Sequence, residues 1–193
     1  MVAVFGCLPV QGRDVRVEWG VQQLQDLLRE RELTVPVNVT LDPDNPAVAD
    51  IKGHREGFRL SFSGNEISVI GVDPAGVLYG CLEAKHRIET SDVYPVAQTI
   101  SDAPVMDWRA PCILLMKLGE YNFSMTPDEF PFFYDKALWI EWLDFMAEHR
   151  FNALAIWNGH PFAYFVKFSR YQEAQYDLPD EQIEQNRQML RWL

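Results

Sequence analysis

The hydrophobic pattern of this chain changes period about halfway along, and that change limits the folds open to it. Before residue 90 the apolar residues alternate with polar ones: Val35–Leu41 (VPVNVTL), Phe58–Phe62 (FRLSF) and Ile67–Val72 (ISVIGV). Alternation marks strands with one face buried. After residue 108 the runs are continuous: Ala110–Leu118 (APCILLMKL) and Ala153–Trp157 (ALAIW). Such runs suit strands covered on both faces, as in parallel α/β sheets. One chain with two kinds of strand is expected to hold two kinds of layer.

The elements between the strands fill in the outline. Val2–Cys7 (VAVFGC) reads as a buried strand. Glu18–Arg31 reads as a helix, with Val21, Leu24, Leu27 and Leu28 on one face. Ser63, Gly64 and Asn65 join two alternating runs into a hairpin. Asp73-Pro74 supplies a cap and a first-turn proline for a helix reaching about Ile88, carrying Val77, Leu78, Cys81 and Leu82. Residues 1–92 are therefore expected to form a small α/β domain, β-α-β-β-β-α. Prolines and polar clusters (YPVAQ, SDAP) make 93–107 a linker. Residues 108–193 read β-α-β-α, with one helix from Lys136 to about His149 and another from about Pro179 to Leu193. The first carries Leu138, Trp139, Trp142, Leu143, Phe145 and Met146, and the second Ile183, Asn186, Leu190 and Leu193. Strand, helix, parallel strand is the right-handed crossover unit. Two parallel strands do not close a sheet, and a (β/α)8 barrel needs about 250 residues. The expected fold class is thus α/β, a small α/β domain followed by the first two βα units of a truncated TIM barrel.

Composition excludes several functions. Net charge is −11, with 17 basic against 28 acidic residues, and no basic stripe interrupts it. Such a field repels phosphate backbones, so no nucleic-acid partner is expected. No apolar run reaches the length of a membrane span, and no secretory leader is visible. Cys7, Cys81 and Cys112 are far apart and odd in number, so buried free thiols are expected. His54, His86, His149 and His160 lack ligand spacing, and there is neither a glycine-rich dinucleotide fingerprint nor a phosphate loop. No metal and no cofactor is expected. Aromatics make up 13% of the chain, six of them Trp, which serves a rich core or stacking on sugars.

The stretch EGFRLSFSGNEISVIGVDPAGVLYGCLEAKHRI resembles the small domain that precedes the barrel in glycoside hydrolase family 20, the β-hexosaminidases, and in α-glucuronidase-type enzymes. The residues that carry the resemblance are Gly57-Phe58-Arg59-Leu60, Ile67 to Ile70, and Asp73, Gly76, Tyr79 and Gly80. MDWRAPCILLMKLGEYNF falls where the first barrel strand begins, and the resemblance implies that its Arg109 binds sugar hydroxyls. WIEWLDFMAEHRFNALAIWNGHPF resembles the first barrel helix and second strand through Arg150, Asn152 and Ala153–Trp157. After that strand the chain reads Trp157-Asn158-Gly159-His160-Pro161-Phe162 where hexosaminidases read H-W-H-L-T-D. That departure points to another glycosidic substrate, such as a uronic-acid-containing polysaccharide.

A barrel site lies at the C-terminal ends of its strands. The first strand end offers Lys117, Glu120, Tyr121 and Asn122, and the second Trp157, Asn158 and His160. Substrate binding is expected at Arg109, Lys117, Trp157, Asn158 and His160. Lys or Arg suits a carboxylated or hydroxylated sugar, Asn and His suit hydroxyls, and Trp suits a pyranose face. Asn158 to Pro161 reads equally well as a turn, and Trp157 also suits core packing. Glycoside hydrolysis usually takes two carboxyl groups. Glu120, at a strand end, is a weak catalytic candidate, and Asp128-Glu129 reads as loop or cap. In family 20 the acid pair follows the fourth strand, so the general acid and base are expected to be missing here. The expected function is a fragment of a carbohydrate-active glycoside hydrolase, inactive alone, with a carbohydrate substrate and self-association through unpaired barrel surfaces. The alternative is a non-catalytic carbohydrate- or partner-binding α/β module.

Overall fold

A computed structural model describes residues 14–64, 66–91, 94, 97–117, 119, 123–157 and 161–193. The expected strand Val2–Cys7 lies outside the described residues. The chain divides into two units, Met1–Asp107 and Trp108–Leu193.

In the first unit, local chemistry starts each helix. Asp14 accepts from the Arg16 amide at the head of α1 (Val15–Glu30), and Asp73 accepts from the Gly76 amide at the head of α2 (Pro74–Glu89). Pro74 sits in the first turn of α2, where a missing N–H costs nothing. Among the described residues the sheet has four strands: β1 (Val37–Leu41), β2 (Phe58–Ser63), β3 (Glu66–Gly71) and β4 (Gln98–Asp102), in the order β1-β3-β2-β4. β1 runs parallel to β3, with Val39 opposite Val69, and β2 is antiparallel to both β3 and β4. Alternate strand residues Val39, Phe58, Leu60, Phe62, Ile67 and Val69 are buried with Leu24 and Leu27 of α1 and Val77, Cys81 and Leu82 of α2. The other sheet face is polar and half-buried, with Arg59 donating to the Ser101 hydroxyl (3.0 Å) and Ser61 hydrogen-bonded to Thr99 (3.2 Å).

Two glycines let α2 lie this close. A Cβ on Gly76 would stand 2.1 Å from the carbonyl oxygen of Gly57, and one on Gly80 would stand 2.5 Å from Cγ1 of Val69. Asp73 ties the same corner, its second carboxylate oxygen accepting from the Glu56 amide at 2.7 Å. Glu56 itself is held at a φ of +61°.

β4 corrects the expectation that 93–107 is only a linker. Gln98–Asp102 pairs with β2 through Ile100 opposite Leu60. Its residues are half-buried or exposed, so its place in the sheet rests on backbone pairing rather than on an apolar pattern.

The second unit holds β5 (Cys112–Leu114), α3 (Pro131–Tyr134), α4 (Lys136–Glu148), β6 (Ala155–Trp157), α5 (Pro161–Phe165) and α6 (Asp180–Trp192). β5 and β6 pair in parallel, Ile113 opposite Ile156. Asp135 caps α4 by accepting from the Ala137 and Leu138 amides. The expected burial of these strands on both faces is not what the structure shows. Cys112, Leu114, Ala155 and Trp157 are exposed, and only Ile113 and Ile156 are half-buried. Among the described residues, the face bearing Ile113 and Ile156 packs against the core of this unit, and nothing covers the face bearing Leu114 and Trp157. The expectation of buried thiols is corrected with it: Cys81 is buried, Cys112 is exposed, and Cys7 lies outside the described residues. The core of this unit is instead made by loops and helices: Leu115, Phe123, Met125, Phe130, Phe133, Trp139, Tyr164 and Met189. Between β5 and α4 an apolar hollow of about 270 Å³ remains, lined by Ile113, Phe132, Leu138, Trp139 and Trp142. Among the described residues no helix is long and apolar enough to cross a membrane.

Candidate functional site

The parallel pair β5–β6 has two distinct ends, and the candidate residues divide between them. At the N-terminal end Arg109 and Asn152 clasp each other. The Arg109 amide donates to Asn152 Oδ1 (3.0 Å), and the Asn152 amide donates to the Arg109 carbonyl (3.0 Å). Arg109 Nε donates to the carbonyl of Arg150 at 2.6 Å. Arg150 has a φ of +59°, in the turn that ends α4 and lets Phe151 donate back to the Met146 carbonyl. This clasp fixes where β5 starts relative to the turn into β6. It places Arg109 at the opposite end of the strands from the other described candidates.

At the C-terminal end stand Lys117 and Trp157. Trp157 ends β6 opposite Leu114, and its carbonyl accepts from the Leu115 amide at 2.7 Å. Its side chain is 61% exposed, on the strand face shared with Leu114, so it does not pack in the core of this chain. Lys117 follows β5 and forms an ion pair with Glu129, Nζ to Oε2 2.8 Å. The Ser124 amide donates to the other oxygen, Oε1, at 3.2 Å. The Lys117 hydrogen bond holds the Glu129 carboxyl below the ordinary glutamate range. Glu120, Tyr121, Asn122, Asn158 and His160 lie outside the described residues.

The loop that carries Glu129 is held from beneath. Phe130 and Thr126 close a turn, amide to carbonyl 2.9 Å. Phe123 meets Phe130 edge-on at 5.5 Å and stacks on Tyr164 at 6.0 Å. The Tyr164 hydroxyl donates to the Phe123 carbonyl (2.9 Å). Asn186 of α6 is fully buried and donates to the carbonyls of Met125 (3.1 Å) and Tyr164 (3.0 Å), while accepting from the Tyr134 hydroxyl (2.6 Å). One side chain thus ties the loop after β5 to the segment after β6.

Asn186 carried no functional expectation, and Glu129 entered only as half of the neighbouring acidic pair Asp128-Glu129. Glu129 sits in a stretch that reads as loop or cap, and its partner Lys117 lies across that loop. Its neighbour Asp128 is exposed. Asn186 falls in register with the apolar face of its helix, and a polar residue there is the signal that it must find partners inside. Among the described residues no group of His, Cys, Asp and Glu is arranged to hold a metal ion.

No family model matches the chain, and no curated protein matches it. Solved structures do. A GH138 enzyme targeting pectin rhamnogalacturonan II matches 94% of this chain at 32% identity with a TM-score of 0.75. CpGH84D matches 95% at 14% identity and a TM-score of 0.55. BtGH115A, a GH115 4-O-methyl-α-glucuronidase with specificity for decorated arabinogalactans, matches 93% at 15% identity and a TM-score of 0.52. The last two likenesses concern the fold alone. The matches cover 22%, 31% and 26% of those three chains, so this chain spans a third or less of each. The chain has a mixed α/β fold of the kind found in glycoside hydrolases, and it corresponds to a part of such enzymes.

Proposed function

We propose that the chain is the small α/β domain and opening βα units of a glycoside hydrolase that cleaves glycosidic bonds in a uronic-acid-containing polysaccharide. The observation that carries this is the match of nearly the whole chain to the GH138 enzyme at 32% identity. The first unit is taken as a domain of the type that precedes the barrel in family 20 and α-glucuronidase-type enzymes. The second unit is taken as the start of a (β/α)8 barrel. Its uncovered face, with Leu114 and Trp157, is then the barrel interior.

In that barrel the C-terminal ends of β5 and β6 face the substrate. Lys117 and Trp157 stand there, with Asn158 and His160 following Trp157 in the chain. Trp157 offers its face to a pyranose ring, and Lys117 serves a sugar hydroxyl or carboxyl. Arg109 keeps a positioning role, because its hydrogen bonds to Asn152 and Arg150 lock the far end of the strands. The general acid and base come from elsewhere in the enzyme, since glycoside hydrolysis sets two carboxyl groups across one bond. Uncovered strand faces and edges also favour self-association of the isolated chain.

The test is an assay of this chain against aryl glycosides and rhamnogalacturonan fragments. The expected result is no turnover, saturable binding of the fragments, and loss of that binding in Trp157→Ala. Turnover that disappears in Glu120→Gln would place catalysis inside the chain. Absence of any saccharide binding would favour the alternative, a module that docks a protein partner.

A further inference from the structure

Glu129 has no part in the reading above, yet it is held as a ligand-accepting group is held. Lys117 occupies one position on Oε2 and the Ser124 amide one on Oε1. A carboxylate has about four acceptor positions, so each oxygen keeps one to spare. The side chain is 30% exposed, so those positions are open to solvent. Its backbone is fixed by the turn to Thr126, the Glu129 amide donating to the Thr126 carbonyl at 3.2 Å. The flanking Met125 and Phe130 are buried, at 0% and 3% exposure. Those side chains already pin the loop. A part-exposed ion pair adds little to stability. A carboxylate fixed in charge and direction is what recognition of a hydroxyl requires.

The geometry points to Glu129 as a sugar-hydroxyl acceptor at the C-terminal end of β5, with Lys117 as the residue that orients it. This rests on the glycoside hydrolase reading. This narrows the role of Lys117 given above: its charge is balanced by Glu129, so the ring bound here is read through its hydroxyls and not through its carboxyl group. The polysaccharide can still carry uronic acids, but the sugar at this position is recognised equally well without one.

The experiment uses the full chain, isotopically labelled for NMR, and two probes. One is trigalacturonic acid, chosen because the GH138 neighbour targets a pectin. The other is the same trisaccharide with its carboxyl groups reduced to alcohols. Both are expected to bind saturably with comparable affinity. Glu129→Gln should weaken both about tenfold, the loss of one charge-assisted hydrogen bond, while the thermal melt at neutral pH moves only slightly. Binding of the acid but not of its reduced form would overturn the proposal and leave the hydrolase reading standing. Unchanged binding in Glu129→Gln, or a variant that fails to fold, would make Glu129 a loop staple and overturn it as well. Failure of the unsubstituted chain to bind either sugar would remove both readings together.

Discussion

The two units bury opposite parts of themselves. In the first, the strands are the core: Phe58, Leu60, Phe62, Ile67 and Val69 are nearly inaccessible. In the second, the loops and helices are the core, while Leu114 and Trp157 on the strands are 48% and 61% exposed. Apolar strand residues left in water lose the driving force that makes a sheet worth forming. The second unit packs its loops around Asn186 and leaves the strand face of Leu114 and Trp157 open, whereas α1 and α2 cover the apolar sheet face of the first.

The largest expected effect breaks the closed unit alone. Gly76→Val drives a side chain into the Gly57 carbonyl, 2.1 Å from the Cβ position, and should cost at least about 3 kcal/mol. Hydrogen exchange read by mass spectrometry should show protection lost across β2, β3 and α2 and kept in α6. Joint collapse of both units would mean that they are not separately stable. Next comes Asn186→Ala, which leaves the Met125 and Tyr164 carbonyls without their side-chain donor inside the second core. About 2–4 kcal/mol is expected, with faster exchange confined to residues 123–193.

A matched pair of aromatic truncations sharpens the contrast. Phe62→Ala should cost about 3–5 kcal/mol, and Trp157→Ala less than about 1 kcal/mol, despite the larger side chain removed. Chemical denaturation of each variant supplies the comparison, and equal costs would show that Trp157 is packed in solution. The smallest effect is on pH. Glu129 has a lowered pKa in the native state, so its contribution is present above the ordinary glutamate range and is lost as the pH falls through and below it. Glu129→Gln should therefore flatten a shallow acid limb in the melting temperature of the second unit and leave the first unaltered.

Much of this architecture was legible from residue spacing. Helices α1, α2, α4 and α6 carry a 3.6-residue apolar period and lie within a few residues of their expected bounds, though the start of α1 at its Asp14 cap falls before the expected Glu18. The alternating strands of the first unit were equally plain. β4 was not, because Gln98–Asp102 lies at the edge of the sheet among the described residues, and its membership is decided by backbone pairing with β2. The apolar runs of the second half read as longer strands than the three residues that pair in each. Part of those runs is spent elsewhere: Leu115 turns into the loop core at 0% exposure. The candidate site was legible only where a residue type met a strand end, as at Lys117 and Trp157. The Lys117–Glu129 pair was not, because a turn and two buried aromatics had to fold first to bring the partners together.

The corner formed by Asp73, Gly76 and Gly80 explains what the motif Asp-x-x-Gly-x-x-Tyr-Gly can and cannot vouch for. Asp73 latches the preceding loop through Glu56 while it starts α2, and the two glycines set how near that helix comes to Gly57 and Val69. The motif is in effect a gauge of clearance. A larger side chain at either glycine would push the helix off the sheet. What the motif measures is the spacing between one helix and one sheet, and that spacing carries no information about what the second unit binds.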